Sequence, residues 1–243
     1  MVKSASTFPE TWTDLEVNIF SRSAILCIII FAILSSSSHS VSYTITQGTS
    51  RSRHGTSDSL VSKSKKLKEL KHLADLDPQM SQEYRVQFFY EFPNDFRTFF
   101  ELFGYDEFRD DSGYVTVNSH ILTDESESMV FFLGEIESVP DSEVYDKLFN
   151  LAIGGFWQAD GVGALLKILR DRIPSNIPTT CEVMSPRTDE EIEGFWRFYF
   201  DGPHPPTQIP DDLATIKVQC PRIYIQLEKA LRIVQLKWKN AHD

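Results

Sequence analysis

The sequence predicts an all-α protein: a single multi-helix domain over residues 59–241, with about eight helices in antiparallel pairs. Three observations carry that expectation. Apolar residues recur at spacings of three, four and seven in one segment after another, the pattern of a buried helical face. The segments are punctuated by capping residues before them and by Gly or Pro after them. Only Tyr114, Val115 and Val117 have strand character, and nothing in the sequence offers them a partner.

The elements follow in order. Leu60 to Leu76 places Leu67, Leu70 and Ala74 on one stripe, with Lys63, Lys65, Lys66, Lys68 and Lys71 around it. A basic amphipathic helix of this kind can rest on an anionic membrane. The plainer reading is a solvated helix whose lysines face the acidic remainder of the chain. Asp77-Pro78 ends it. Met80, Tyr84 and Phe88 recur every four residues in a second helix that stops before Pro93. Asn94 is the expected N-cap of a third, with Phe96, Phe99, Phe100 and Phe103 on one face and Gly104 closing it.

Tyr105 to Gly113 reads YDEFRDDSG. Asp106, Glu107, Asp110 and Asp111 have the oxygen chemistry for a hard cation, but their spacing does not fit an EF-hand loop. The expected structure is an acidic solvated turn. His120 to Glu137 reads as a helix around Met129, Phe132, Leu133 and Ile136. Pro140 and Asp141 restart the chain, Val144, Leu148 and Leu151 form the next stripe, and Gly154-Gly155 break it. Trp157, Val162, Leu165, Leu166, Leu169 and Ile173 read as another buried face, with Pro174 and Pro178 bounding a short segment after it.

Glu190 to Pro206, EEIEGFWRFYFDGPHPP, is the densest apolar window in the chain. Thr188 with Glu191 fits a capping box, and Asp189, Glu190 and Glu191 suit the positive end of the helix dipole. Ile192, Phe195, Trp196 and Tyr199 share one face; Phe198 and Phe200 lie off it, so the helix is expected to be covered on several sides. Burying one such ring fully is worth about 1.5–3 kcal/mol. Gly202 is placed for a positive-φ stop, and Pro203 prevents continuation. Pro210 with Asp211 and Asp212 opens a helix towards Cys220, and Pro221 starts the last one. There Ile223, Leu227, Ala230, Leu231, Val234 and Trp238 share a face. The expected buried set includes Phe99, Trp157, Leu166, Trp196, Tyr199 and Leu231.

The formal net charge of −11 is uneven: residues 1–50 carry −1 and residues 51–72 carry +5, which leaves −15 on residues 73–243. An acidic body argues against nucleic acid as the main partner. It permits a basic protein partner, although most acidic bodies are simply soluble. Membrane contact is expected only through an uncleaved leader or the basic helix 60–76.

Residues 1–40 have the pattern of a signal peptide or leader. Ala24 to Leu34 is an apolar run of eleven residues behind Arg22, too short for a membrane-spanning helix. Ser38-His39-Ser40 is a small-x-small cleavage site. The preceding stretch is long for a signal peptide, and a true start near Val17 would make it ordinary. Export to periplasm, envelope or medium is the expectation, a single N-terminal membrane anchor the rival. Residues 41–58 read as a disordered linker. Cys27 lies in the leader. Cys181 and Cys220 remain, either as a disulfide in an oxidising compartment or, the plainer reading, as two buried free thiols.

Catalytic motifs are absent: there is no GxSxG, HExxH, Walker loop, GxGxxG after a strand, or CxxC. No motif asks for a cofactor or a metal. Among the histidines, only His204 sits in a special context, Asp201-Gly202-Pro203-His204-Pro205-Pro206. A carboxylate three residues from an imidazole can orient it as a base, and His120 and Asp160 are the other polar groups an enzyme would draw on. The same residues also make a helix stop and a stiff turn. GFWQADGVGALLKILRD (155–171) and FWRFYFDGPHP (195–205) resemble an uncharacterised group of exported, all-helical bacterial proteins with a Trp-Ala-Asp stretch and an aromatic-DGPHP corner. The resemblance spans residues 90–240; it implies fold and export and no catalytic residue. Asp160, in that stretch, is expected to cap the following helix.

The expected function is therefore a non-catalytic protein-interaction module of the cell envelope, with Asp160, Asp201, Gly202, Pro203, His204 and Pro205 as binding residues. The alternatives are an acidic immunity or inhibitor protein that binds a basic effector, and a hydrolase using His204 with nearby carboxylates.

Overall fold

The computed structural model describes residues 58–242, so the leader, Cys27 and the linker, apart from Asp58, lie outside the described residues. The described part is mostly helical. Ten α-helices run in the order α1 (Asp58–Leu76), α2 (Ser81–Glu91), α3 (Phe96–Phe103), α4 (Ser126–Gly134), α5 (Asp141–Ala152), α6 (Gly161–Ser175), α7 (Ile177–Met184), α8 (Asp189–Phe200), α9 (Ile216–Gln219) and α10 (Pro221–His242). Between α3 and α4 stand two strands, β1 (Tyr105–Arg109) and β2 (Val115–Ser119).

Helix α8 lies in the core. Ile192, Phe195, Trp196, Phe198, Tyr199 and Phe200 are all buried, so both its main face and its off-face aromatics are covered. It packs chiefly on α10 and also against α5 and α6. Phe195 stacks on Phe149 of α5 with ring centroids 5.0 Å apart. Its start is the capping box the sequence specifies, with Thr188 Oγ1 accepting from Glu191 N and Glu191 Oε2 from Thr188 N. A second aromatic layer comes from α2 and α3, where Phe88, Phe92, Phe99 and Phe103 are buried.

Several expectations need correction. The acidic turn and the partnerless strand are one hairpin: β1 pairs antiparallel with β2, Tyr105 opposite Ser119 and Arg109 opposite Val115. Three of the five β1–β2 pairs are exposed on both strands, and β2 is exposed throughout, so no apolar alternation marks the strands. The N-cap of α3 is Asp95, whose carboxylate accepts from Thr98 N, rather than Asn94. Helix α4 starts at Ser126 because 121–125 form turns held by Thr123 Oγ1 donating to Gly104 O. The short segment between Pro174 and Pro178 leads into an added helix, α7, and the helix expected from Pro210 towards Cys220 is only a 3-10 turn at Asp211–Leu213 followed by the four-residue α9. Pro174 sits inside the last turn of α6, and Pro178 lies in the first turn of α7, where a missing N–H costs nothing.

Cys181 and Cys220 are bridged, so the free-thiol reading is overturned. The disulfide ties α7 to the residue before α10. The lysine face of α1 does meet acidic and carbonyl groups of the body: Lys68 pairs with Glu125 at 2.5 Å and Lys63 donates to Glu91 O at 2.9 Å. No helix among the described residues is long and apolar enough to cross a membrane.

Candidate functional site

The corner after α8 is built from the helix end outward. The last carbonyls of a helix have no intrahelical donor and attract cations. Here Arg170, from α6, supplies the donor: Nε and Nη2 reach Tyr199 O at 3.2 and 3.0 Å, and Nη2 reaches Asp201 O at 3.0 Å. Burial lowers the Arg170 pKa, an effect the Asp201 charge opposes. The Tyr199 hydroxyl is pushed up, first by burial and then by the charge of Asp212, so it stays neutral.

Gly202 follows with φ +146°, a conformation open to glycine and strained for other residues. A Cβ built there would lie 3.8 Å from the Trp157 ring and 3.9 Å from Arg170 Nη2. The Asp201 carboxylate is taken up locally: Oδ2 accepts from Trp157 N at 2.9 Å and Oδ1 from Gly202 N at 3.0 Å. Helix α10 holds the far side. Trp238 Nε1 donates to Pro203 O at 2.9 Å, and Gln235 Nε2 donates to Pro206 O at 2.8 Å. The carbonyls of Pro203 and Pro206 are therefore satisfied by neighbouring side chains, and the loop is fixed from two helices.

The two stretches that carry the resemblance thus meet. Trp157 is not a core residue: it is 40% exposed, and its ring borders Gly202. The reason is local. Residues 153–160 form a loop between α5 and α6, and its amide at Trp157 is fastened to Asp201 while Gln158 is fastened elsewhere. Gln158 bridges to the hairpin, accepting from Tyr105 N and donating to Tyr105 O. Trp238 is 38% exposed and Phe156, beside Trp157, 43%; Pro203 and His204 are exposed. The result is an exposed aromatic and proline surface over a rigid base.

Of the expected binding residues, Asp201, Gly202 and Pro203 are held together directly. His204 projects to solvent between exposed Pro203 and half-buried Pro205, and its ring enters no hydrogen bond or ion pair among the described residues. Asp160 is exposed and occupies the N-cap position of α6 without a side-chain cap bond, so the expected capping role is not realised. Its backbone has φ +58°, the one positive φ outside glycine among the described residues. No bond joins its side chain to Asp201 or His204. His120 stands apart at the hairpin base, with Nδ1 at 2.7 Å from Phe100 O and Nε2 at 3.5 Å from Asp106 Oδ2. Sequence reasoning missed Arg170, Gln235 and the exposed role of Trp238; no spacing rule links a mid-helix arginine to a helix end 29 residues away.

The charged groups nearest Asp201 are Arg170 and Lys237, whose Nζ lies 3.9 Å from Oδ2. Acidic surface instead collects on the hairpin, where Asp106, Glu107, Asp110 and Asp111 outweigh Arg109. There Asp110 is used within the turn, accepting from Ser112 Oγ, Ser112 N and Tyr114 N, which lowers its pKa through the Ser112 bond first. Among the described residues, no group of three or more His, Cys, Asp or Glu is placed to hold a metal ion. No protein-family model, curated protein or solved structure matches this chain.

Proposed function

We propose that this chain is a non-catalytic protein-interaction module of the cell envelope, and that its contact surface is the corner formed by Trp157, Pro203, His204 and Trp238. The observation that carries the reading is the fixed backbone of that corner. Trp157 N on Asp201, Arg170 on Tyr199 and Asp201, Gln235 on Pro206 and Trp238 on Pro203 pre-order it. A surface already ordered loses little entropy on binding. Exposed tryptophans next to it supply the large rigid area typical of interface anchors. Asp201 supports this reading over the hydrolase: its carboxylate serves the loop amides and is not available to orient His204 as a base.

The test compares proteins captured from envelope extract by the wild type and by a His204→Ala, Trp157→Ala double variant. Both are first shown to melt at similar temperatures. The proposal expects a partner retained by the wild type and lost by the variant at the same salt. Identical capture by the two proteins would mean that the corner only routes the chain from α8 to α10.

A second reading, an acidic inhibitor of a basic effector, is supported by the −15 carried on residues 73–243. It expects capture that weakens steeply between low and physiological salt.

A further inference from the structure

The β1–β2 hairpin has two edges, and that of β2 is uncovered along its whole length. In an antiparallel pair, residues that exchange hydrogen bonds alternate with residues whose N–H and C=O point outward. His120 N donates to Gly104 O and Asp110 N to Tyr114 O. The register then places 106 with 118 and 108 with 116 in the bonded set. Tyr105, Glu107 and Arg109 point outward on one side; Val115, Val117 and Ser119 point outward on the other. The Gln158 amide confirms the assignment by bonding both outward groups of Tyr105, and so covers part of the β1 edge. The β2 edge has no such cover: among the described residues no side chain or backbone group bonds Val115, Val117 or Ser119 from outside.

Edge strands are commonly protected by a charge, a proline or a bulge. Val115-Thr116-Val117-Asn118-Ser119 has none of these, and all five residues are exposed. We infer that the β2 edge is a strand-addition site for an extended segment of a partner protein that carries lysine or arginine.

Charge selects that occupant over a second copy of this chain. Residues 105–119 carry four acidic side chains against Arg109, and the body around them is acidic; pairing two copies would bring like charges together. Register adds a finer rule. Val117 lies opposite Glu107 and Val115 opposite Arg109, all on one face. Glu107 is exposed and enters no ion pair among the described residues. An added strand lies two strand spacings, about 10 Å, from β1. A lysine or arginine placed beside Val117 lays its methylenes over that valine and carries its charge towards Glu107. The same side chain beside Val115 would face Arg109, so the cation is favoured at the Val117 position.

The experiment uses the full chain and a ten-residue peptide alternating lysine and threonine, with a glutamate–threonine peptide as control. Hydrogen exchange is read amide by amide. The outward amides of Val115, Val117 and Ser119 exchange fast in the free protein and become protected with the lysine peptide, while the glutamate peptide has no effect. Val117→Pro removes one outward N–H and puts a ring in the path of the added strand, and it leaves the β1–β2 bonds in place. It weakens lysine-peptide binding about tenfold or more, the effect of losing roughly one hydrogen bond with its fit. Val117→Thr, which keeps the amide, stays within about twofold. Slow exchange at Thr116 and Asn118 in the Val117→Pro protein confirms an intact hairpin. His204→Ala leaves this binding unchanged, which separates the edge from the corner. Equal binding by Val117→Pro, absence of protection at β2, or equal binding of the glutamate peptide overturns the inference. Self-association abolished by Val117→Pro would assign the edge to a second copy and overturn it as well.

Discussion

The backbone N–H of Trp157 donates to Oδ2 of Asp201 at 2.9 Å, joining two stretches 44 positions apart in the chain. Asp201 Oδ1 holds the Gly202 amide at the same time. Replacing Asp201 with Ala leaves both amides without an acceptor, and a charged acceptor is worth about 1.5–3 kcal/mol. Asp201→Ala is expected to lose stability of that order in urea unfolding. Asp201→Asn keeps one carbonyl oxygen and is expected to lose less. Equal losses for the two variants would show that the carboxylate charge, rather than the two accepted bonds, matters here.

Arg170 caps the end of α8 by donating to Tyr199 O and Asp201 O. Arg170→Met keeps the apolar stem and removes the donors, so it is expected to cost about 2–3 kcal/mol. Arg170→Lys recovers only part, because a point charge cannot serve two carbonyls as a planar fork does. A fully stable lysine variant would show that charge alone suffices.

Lys147 is buried in α5, donates to Phe92 O at 3.0 Å and sits over the Phe89 ring. Burial, with a contribution from the charge of Lys63, lowers its pKa to about 8. Below pH 8 it is protonated both folded and unfolded, and the folded state carries the cost of a buried ammonium. Between about pH 8 and 10.5 the unfolded chain binds more protons than the folded one, so the stability contribution of this residue rises with pH. The difference between wild type and Lys147→Met is therefore expected to shift towards the wild type over that window, by up to about 3 kcal/mol. Parallel pH profiles of the two proteins would contradict it.

The Cys181–Cys220 bridge has a sequence separation of 39. On the chain-entropy model a loop of that size stabilises by about 4 kcal/mol. Reductant is expected to lower the wild-type melting temperature and to leave a Cys181→Ser, Cys220→Ser protein unchanged. Equal responses of the two would mean that the bridge does not constrain the unfolded chain.

The helical body was legible because its signals are local. The stripes around Phe99, Leu166, Phe195 and Leu231 repeat at helical spacing, and the Thr188–Glu191 capping box is written within four residues. What the sequence hid is non-local or solvated. Tyr105–Arg109 is acidic, with only Tyr105 and Phe108 half-buried and three positions apart, so nothing in it has strand period, and its pairing with β2 rests on main-chain bonds. Trp157 and Trp238 read as core because large aromatics usually are; only the loop 153–160 and the bond from Trp238 to Pro203 reveal that each borders the same surface. Asn94 lost the capping role to Asp95 by one residue, a difference decided by which carboxylate or amide reaches Thr98 N. The corner itself was found from Asp201 to Pro206, but its supports, Arg170 and Gln235, come from helices α6 and α10, and only the folded chain brings them there.

The corner is most directly tested by photo-crosslinking in the native cell. A benzoylphenylalanine is placed at His204, whose side chain is exposed and holds no other residue, and a second one at Val218, exposed elsewhere on the surface. A binding corner gives one dominant protein adduct from position 204 that is absent from position 218 and disappears when Trp157→Ala is added. Adducts of the same kind and amount at both positions, or none at 204, would contradict a partner bound there.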